Sequence, residues 1–153
     1  MDKISIIVPC YNEQEAIPIF YDAIAKTAGE MPQVRLEVLF VNDGSRDASL
    51  MEMKKLAERD DRVKYVSFSR NFGKESAMFA GLASASGECC AVMDCDLQHP
   101  AETLIEMYRK WEEGYEVIEG IKKSRGNESI IHKKCAGFFY GIMSKATKVD
   151  MQN

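Results

Sequence analysis

Short apolar runs rich in β-branched residues recur along this chain, each followed by a stretch with helical spacing, and that alternation restricts the fold more than any other feature. Residues 4–8 (Ile-Ser-Ile-Ile-Val) read as a strand stopped by Pro9. Residues 38–41, 63–68 and 89–93 repeat the pattern, and Val117-Ile118 marks a fifth strand. Between them, helices are expected over residues 16–28, 47–59, 74–85 and from Pro100 to about Glu112. Asn12, with Glu15 three residues on, offers the first helix an N-cap. Leu50, Met53 and Leu56 form one stripe of the second. Strands that are apolar on both faces and separated by helices imply an α/β fold, a parallel sheet covered on both sides.

Such a sheet binds its ligands beyond the carboxyl ends of the strands. The polar clusters of this chain fall there: Tyr11-Asn12-Glu13, Asn42-Asp43-Gly44, Ser69-Arg70-Asn71 and Asp94-Cys95-Asp96 follow the first four strands in order. All four are expected on one edge. Asp94 and Asp96, two residues apart at a strand end, are expected to point the same way. Their carboxylates and the Gln98 amide oxygen are hard ligands suited to Mg²⁺ or Mn²⁺ shared with substrate phosphates, not to zinc. His99 fits better as a neighbour of the turn before Pro100 than as a ligand. An aspartate after the second strand, as Asp43 is, can accept hydrogen bonds from a base or ribose, although Asp-Gly is also an ordinary turn. Lys74 opens a helix, a place suited to an anionic or base-bearing ligand.

Other chemistries lack their signatures. No G-x-G-x-x-G follows the first strand, the residues before Gly73-Lys74 do not make a P-loop, and there is no Gly-x-Ser-x-Gly elbow. Two histidines give no nucleophile–base pair. Aromatics on a basic sheet are missing, so nucleic acid is not an expected partner. The five cysteines contain no C-x-x-C pair and read as reduced, mostly core thiols. No apolar run approaches the ~20 residues of a membrane span, and the N-terminus does not have the form of a signal peptide, so a cytoplasmic protein is expected.

Charge is unevenly placed. Residues 1–119 carry 13 basic against 22 acidic side chains, whereas residues 120–148 carry seven basic against one acidic. The basic end suggests an anionic partner or surface, or else a solvated helix face. Ile131, Cys135, Phe138, Phe139, Ile142, Met143 and Ala146 recur there at steps of three and four. That stripe is either an amphipathic helix lying in a membrane interface or a face packed on the sheet or a partner subunit.

Taken in order, Ile-Ile-Val-Pro-Cys-Tyr-Asn-Glu (6–13), Val-Asn-Asp-Gly-Ser (41–45), Arg-Asn-Phe-Gly-Lys (70–74) and Asp-Cys-Asp-Leu-Gln-His-Pro (94–100) resemble the family 2 inverting glycosyltransferases of the GT-A fold. The last two motifs, with Lys-Lys-Ser-Arg-Gly (122–126), are most similar to the polyprenyl-phosphate branch, the dolichol-phosphate mannose synthases and bactoprenol glucosyltransferases. The resemblance implies a Rossmann-like, mostly parallel sheet with helices on both faces. It implies one catalytic domain over residues 1–153, with a nucleotide-sugar-binding core at 1–119 and an acceptor-side segment at 120–153. Pro9, Tyr11, Glu13, Asp43, Arg70, Lys74 and Asp94 would then bind the nucleotide-sugar. Asp94 and Asp96 would be catalytic, with Asp96 and Gln98 holding Mg²⁺ or Mn²⁺. Lys122, Lys123 and Arg125 would face the acceptor phosphate.

The expected reaction is inverting sugar transfer from a UDP- or GDP-sugar to a polyprenyl phosphate at the cytoplasmic face of a membrane. The alternatives are a saccharide hydroxyl as acceptor, or a non-catalytic α/β module that binds Mg²⁺ as receiver domains do. Family members carry a further acidic residue shortly after the point where this chain stops, and membrane helices commonly follow, so a truncated piece whose own turnover is in doubt is expected. A homo-oligomer is compatible with all of this.

Overall fold

In the computed structural model, residues 1–98 and 100–120 are described. Four parallel strands, β1 (Asp2–Cys10), β2 (Val34–Asn42), β3 (Val63–Ser67) and β4 (Cys89–Val92), alternate with helices α1 (Ala16–Glu30), α2 (Ser49–Arg59), α3 (Lys74–Ser84) and α4 (Thr103–Glu112). Residues 1–118 belong to one compact unit. The sheet order is β3-β2-β1-β4. The chain thus works outward from β1 to β3 and returns to the other side of β1 for β4. In an open α/β sheet the reversal of order leaves a crevice between the two strands that flank it. Here those strands are β1 and β4.

Alternation along β1 and β2 sorts their side chains between two layers. Ile4, Ile6 and Val8 of β1, with Leu36, Val38 and Phe40 of β2, meet Ile17, Phe20 and Ile24 of α1, Met53 and Leu56 of α2, and Leu104 and Tyr108 of α4. Phe20 and Phe40 meet edge to face, centroids 6.1 Å apart, and burying each such ring contributes about 1.5–3 kcal/mol. The opposite layer is thinner. Ile7 and Val41 pack under Ala77 of α3, flanked by Val66, Phe68, Ala80 and Ala85. Gly81 lets that helix come close, since a Cβ there would stand 2.3 Å from Ile7 Cγ2.

The same layer buries a carboxylate. Glu37 is 2% exposed and accepts from Lys3 Nζ (3.0 Å), Lys64 Nζ (2.6 Å), Ser5 Oγ (2.6 Å) and the backbone N–H and hydroxyl of Ser86 (3.1 and 2.8 Å). Burial alone would raise its pKa, but these donors hold the carboxyl well below its ordinary range. No sequence pattern announced this cluster.

Several expected boundaries shift. Strands β1 and β2 extend beyond residues 4–8 and 38–41, α1 runs on to Glu30, and α2 begins at Ser49 instead of Asp47. Asn12 does not cap α1. Its side chain accepts the Arg46 N–H at 2.9 Å, and the helix starts instead on the Glu13 carbonyl, which accepts the N–H groups of Ala16 and Ile17 at 3.0 Å. Pro100 opens isolated turns, and α4 proper begins at Thr103. Among the described residues the expected fifth strand does not form: residues 117 and 118 join no sheet there, and Val117 is 89% exposed. Two apolar residues with no paired strand among the described residues cannot hold an extended ladder. Of the cysteines, Cys10 and Cys95 are buried, Cys89 is half-buried and Cys90 exposed. Cys135, His99, Lys122, Lys123, Arg125 and the basic stripe at 128–148 lie outside the described residues. Among the described residues, no helix is long and apolar enough to cross a membrane.

Candidate active site

A cleft of about 460 Å³ opens at the carboxyl ends of β1 and β4, where the strand order reverses. Pro9 lines it from the end of β1, Tyr11 and Glu13 from the loop that follows, Asp43 from just after β2, Lys74 from the first turn of α3, and Asp94 and Asp96 from the loop after β4. Seven of the residues expected to bind nucleotide-sugar or metal therefore share one cavity. Two do not line it. The Arg70 guanidinium lies over the Phe72 ring, 4.7 Å from its centroid, and Gln98 enters the local geometry through its backbone N–H, which donates to Asp96 Oδ1 at 3.0 Å.

The floor is formed by two thiols. Cys10 ends β1, and Cys95 lies in the turn after β4. Both line the cleft and both are buried. A hydrogen bond with Cys95, followed by burial, pushes the Cys10 thiol far above its ordinary range, so it stays protonated and acts as a small apolar floor. The clusters containing Cys95 and Asn71 were expected on this edge, but no binding role was assigned to them or to Cys10, and all three line the cavity.

Three loops build the walls, and they are tied together. Asn12 takes a left-handed φ of 57°, which few side chains tolerate as well as asparagine. Its N–H donates to Ser45 Oγ at 3.0 Å, while its own Oδ1 takes the Arg46 N–H. The Glu13 N–H donates to Ser49 Oγ at 2.7 Å and the Gln14 N–H to Asp47 Oδ2 at 3.2 Å. Gln14 Oε1 in return accepts the Ala48 N–H at 2.9 Å. Asp47 Oδ1 also accepts from the Ser49 N–H and hydroxyl at 2.9 and 2.6 Å. Burial works against the charge on Asp47, yet the Ser49 and Gln14 donors lower its pKa.

The β2 loop is joined to the β3–α3 loop as tightly. Asp43, 4% exposed, accepts the Phe72 N–H on Oδ1 (2.7 Å) and the Gly73 N–H on Oδ2 (3.0 Å). Gly44 has φ +67°, and a Cβ there would fall 2.2 Å from the Arg70 carbonyl carbon. Only glycine fits that contact. Gly73, with φ 98°, precedes α3 and delivers Lys74 to the cleft.

The electrostatics are lopsided. Four carboxylates (Glu13, Asp43, Asp94, Asp96) and a single ammonium, that of Lys74, line the cleft among the described residues. Lys74 Nζ meets Asp94 Oδ1 at 2.5 Å. Burial, then the carboxylates of Asp96, Asp47 and Asp94, raise the pKa of Glu13. Asp94 and Asp96 are both exposed and lie past the end of β4, in a turn where Leu97 has φ 52°. Strand alternation, the expected reason for their common direction, therefore does not apply. The turn itself brings both to the cavity. Among the described residues no three His, Cys, Asp or Glu side chains converge closely enough to hold a metal ion alone.

Residues 5–148 match the profile of Glycosyl transferase family 2. The chain belongs to that family. This family 2 chain is 41% identical over 147 residues to the uncharacterized glycosyltransferase YkcC of Bacillus subtilis, covering 96% of the chain and 45% of the relative. It is 40% identical over 143 residues to the bactoprenol glucosyl transferase of Shigella phage SfV, covering 94% and 46%. It thus spans about half the length of these relatives. Solved structures resemble it as well. The mannosyltransferase PcManGT of Pyrobaculum calidifontis, in complex with GDP-Man and Mn²⁺, matches with a TM-score of 0.61 at 28% identity, over 72% of the chain and 32% of that protein. TarS 1-349 of S. aureus, in complex with UDP, matches with a TM-score of 0.63 at 25% identity, over 84% and 39%. The expected GT-A architecture is therefore the observed one, a parallel sheet with helices on both faces.

Proposed function

We propose that this family 2 chain binds a nucleotide-sugar with Mg²⁺ or Mn²⁺ in the β1–β4 cleft and forms the donor half of an enzyme that glycosylates a polyprenyl phosphate with inversion. The observation that carries the donor reading is the convergence of Tyr11, Glu13, Asp43, Lys74, Asp94 and Asp96 on one cavity at the topological switch point. The acceptor reading is supported by 40% identity to bactoprenol glucosyl transferases along 94% of the chain.

The donor set suits a hard divalent cation. Asp96 supplies a carboxylate oxygen beside Asp94, in a place where burial first, and then the carboxylates of Asp96, Asp47 and Asp94, raise the pKa of Glu13. A site with few protein ligands fits a cation that shares its coordination with substrate phosphates. Asp96 and Gln98 would hold the ion, which when bound supplies charge neutralisation for the departing nucleoside diphosphate.

The residues of the chain do the rest. Asp43 and the backbone it holds would border the base or ribose, with Pro9 and Tyr11 as the apolar wall. Lys74, at an α-helix N-terminus, would meet diphosphate oxygens. Asp94 would orient the sugar or nucleotide, leaving the opposite face of the anomeric carbon open to attack and hence inversion. A phosphate acceptor is already ionised near neutral pH, so deprotonation by a strong base matters less than for a hydroxyl. Lys122, Lys123 and Arg125 would receive that phosphate, and the basic segment 120–153 would bring the enzyme to a membrane surface.

A thermal-shift panel of UDP-, GDP- and CDP-sugars with Mn²⁺ tests the donor reading, because a ligand at about 100 Kd adds ~2.7 kcal/mol to native stability. One base should raise Tm by several degrees, and a chelator should remove the gain. No shift with any nucleotide would overturn the reading. For the acceptor, the longer protein should move labelled sugar into a polyprenyl phosphate extractable by organic solvent. Label transferred only to soluble saccharides would place the acceptor elsewhere.

A further inference from the structure

The cleft contains an ion pair that joins two of its walls. Lys74 Nζ sits 2.5 Å from Asp94 Oδ1, and the two side chains are 54% and 43% exposed. Asp94 belongs to the loop after β4 and Lys74 to the first turn of α3, so the pair links elements 20 residues apart in sequence. Lys74 is the one cation among the described residues of the cavity, set against Glu13, Asp43, Asp94 and Asp96. Asp43 has its charge answered by two backbone N–H groups, and Asp96 accepts one from Gln98. Asp94 is the carboxylate that Lys74 neutralises.

We propose that Lys74 is a tethered counterion: in the free protein it pairs with Asp94, which weakens capture of a divalent cation on its own, and the donor's diphosphate draws it away. The inference rests on the donor-binding reading above and adds an order to it. An ammonium in contact with Asp94, two residues from the Asp96 proposed to hold the ion, opposes a second cation by direct repulsion. A diphosphate changes the balance. It offers the ammonium several anionic oxygens in place of one carboxylate, beside a helix N-terminus that also favours negative charge. Asp94 is released at the moment a cation arrives with the nucleotide. Metal and nucleotide then bind as one unit, and the free protein does not load metal ahead of its donor. The exposed pair is weak enough to exchange readily, since surface ion pairs of this kind are worth little on their own.

The test uses Lys74→Met, which leaves an unbranched side chain one atom shorter and removes the charge, with Lys74→Arg as the conservative control. Both residues of the pair are substantially exposed, so an unchanged Tm and circular dichroism spectrum are expected for each variant. Titration calorimetry would measure Mn²⁺ alone, Mn²⁺ with inorganic diphosphate, and Mn²⁺ with UDP or GDP. In Lys74→Met, Mn²⁺ alone should bind on the order of fivefold tighter, while Mn²⁺-diphosphate and Mn²⁺-nucleotide should bind at least about tenfold weaker. Lys74→Arg should stay near the wild type in all three. The opposite signs carry the proposal, because a merely structural lysine would weaken every ligand together. If Mn²⁺ alone binds Lys74→Met no more tightly than wild type while wild type still binds Mn²⁺-nucleotide, the counterion role fails and the donor reading stands. If wild type binds no nucleoside diphosphate with Mn²⁺, the donor reading falls and the proposal with it.

Discussion

Asp43 and Asp96 stand in the same cleft but face different demands, and single substitutions should separate them. Asp96 is exposed, and its Oδ1 accepts the Gln98 N–H. Asp96→Asn can still accept that bond but loses the charge a hard cation requires. We expect an unchanged Tm and loss of Mn²⁺-dependent nucleoside diphosphate binding, read by calorimetry. Full affinity in the folded variant would remove Asp96 from the metal site. Asp43 is buried and holds two backbone N–H groups. Asp43→Ala should cost about 1–3 kcal/mol, since the donors at Phe72 and Gly73 lose their acceptor. It should weaken UDP or GDP more than inorganic diphosphate, because its carboxylate follows β2 whereas the proposed metal site follows β4. Chemical denaturation and paired titrations check the two parts. An equal loss for both ligands would mean that Asp43 acts on phosphate binding by steadying Lys74, not by reading the base.

At the level of elements, the glycines report how closely helix, loop and sheet approach. Gly44→Ala combines a left-handed backbone with a clash against the backbone of Arg70 and Asn71, and backbone cannot step aside as a side chain can. A loss above about 2 kcal/mol is expected, with nucleotide binding lost alongside. Gly81→Ala presses only on the Ile7 side chain and the Cγ2 of Val41, so about 1–3 kcal/mol should go while the cleft keeps its affinity. Urea midpoints of the two variants measure this, and equal binding defects would contradict it. The same elements show what the sequence could reveal. Four strands and four helices were legible because period two and period 3.6 are local signals. Site residues placed directly after strands, such as Tyr11, Glu13 and Asp94, were legible because topology alone sends those positions to one edge. Asn12 was misread as a cap because its real partner, the Arg46 N–H, is 34 residues away. Arg70 shares a motif with Lys74, yet its guanidinium finds the Phe72 face before it finds the cavity. Glu37 gave no warning, since one acid in an apolar run says nothing of donors on three other segments.

Across the molecule, that buried carboxylate sets the response to acid. The folded-state pKa of Glu37 is depressed by Lys64, Ser5, Lys3 and Ser86 against the cost of burial, and that of Asp60 by Arg62 and Tyr21. A depressed carboxylate stabilises the fold fully above its unfolded value and loses that contribution as pH falls through the folded one. Stability should therefore be level near neutrality and decline below about pH 4.5, the ordinary value for a glutamate. Glu37→Gln should lower the neutral plateau and flatten the decline. Denaturant midpoints from pH 7 to pH 3 would show it, and parallel curves for the two proteins would rule Glu37 out as a cause. The loops at the other end of the sheet carry a different consequence. Hydrogen bonds join the β1 and β2 loops, and the Gly44 contact with the Asp43 clamp joins the β2 and β3 loops. On the proposed donor reading, nucleotide preference in this scaffold is then heritable only as a block. A chimera that borrows one loop from a relative with a different nucleotide inherits mismatched seams, whereas exchanging residues 11–15, 42–49 and 69–74 together transplants a pocket already fitted to itself.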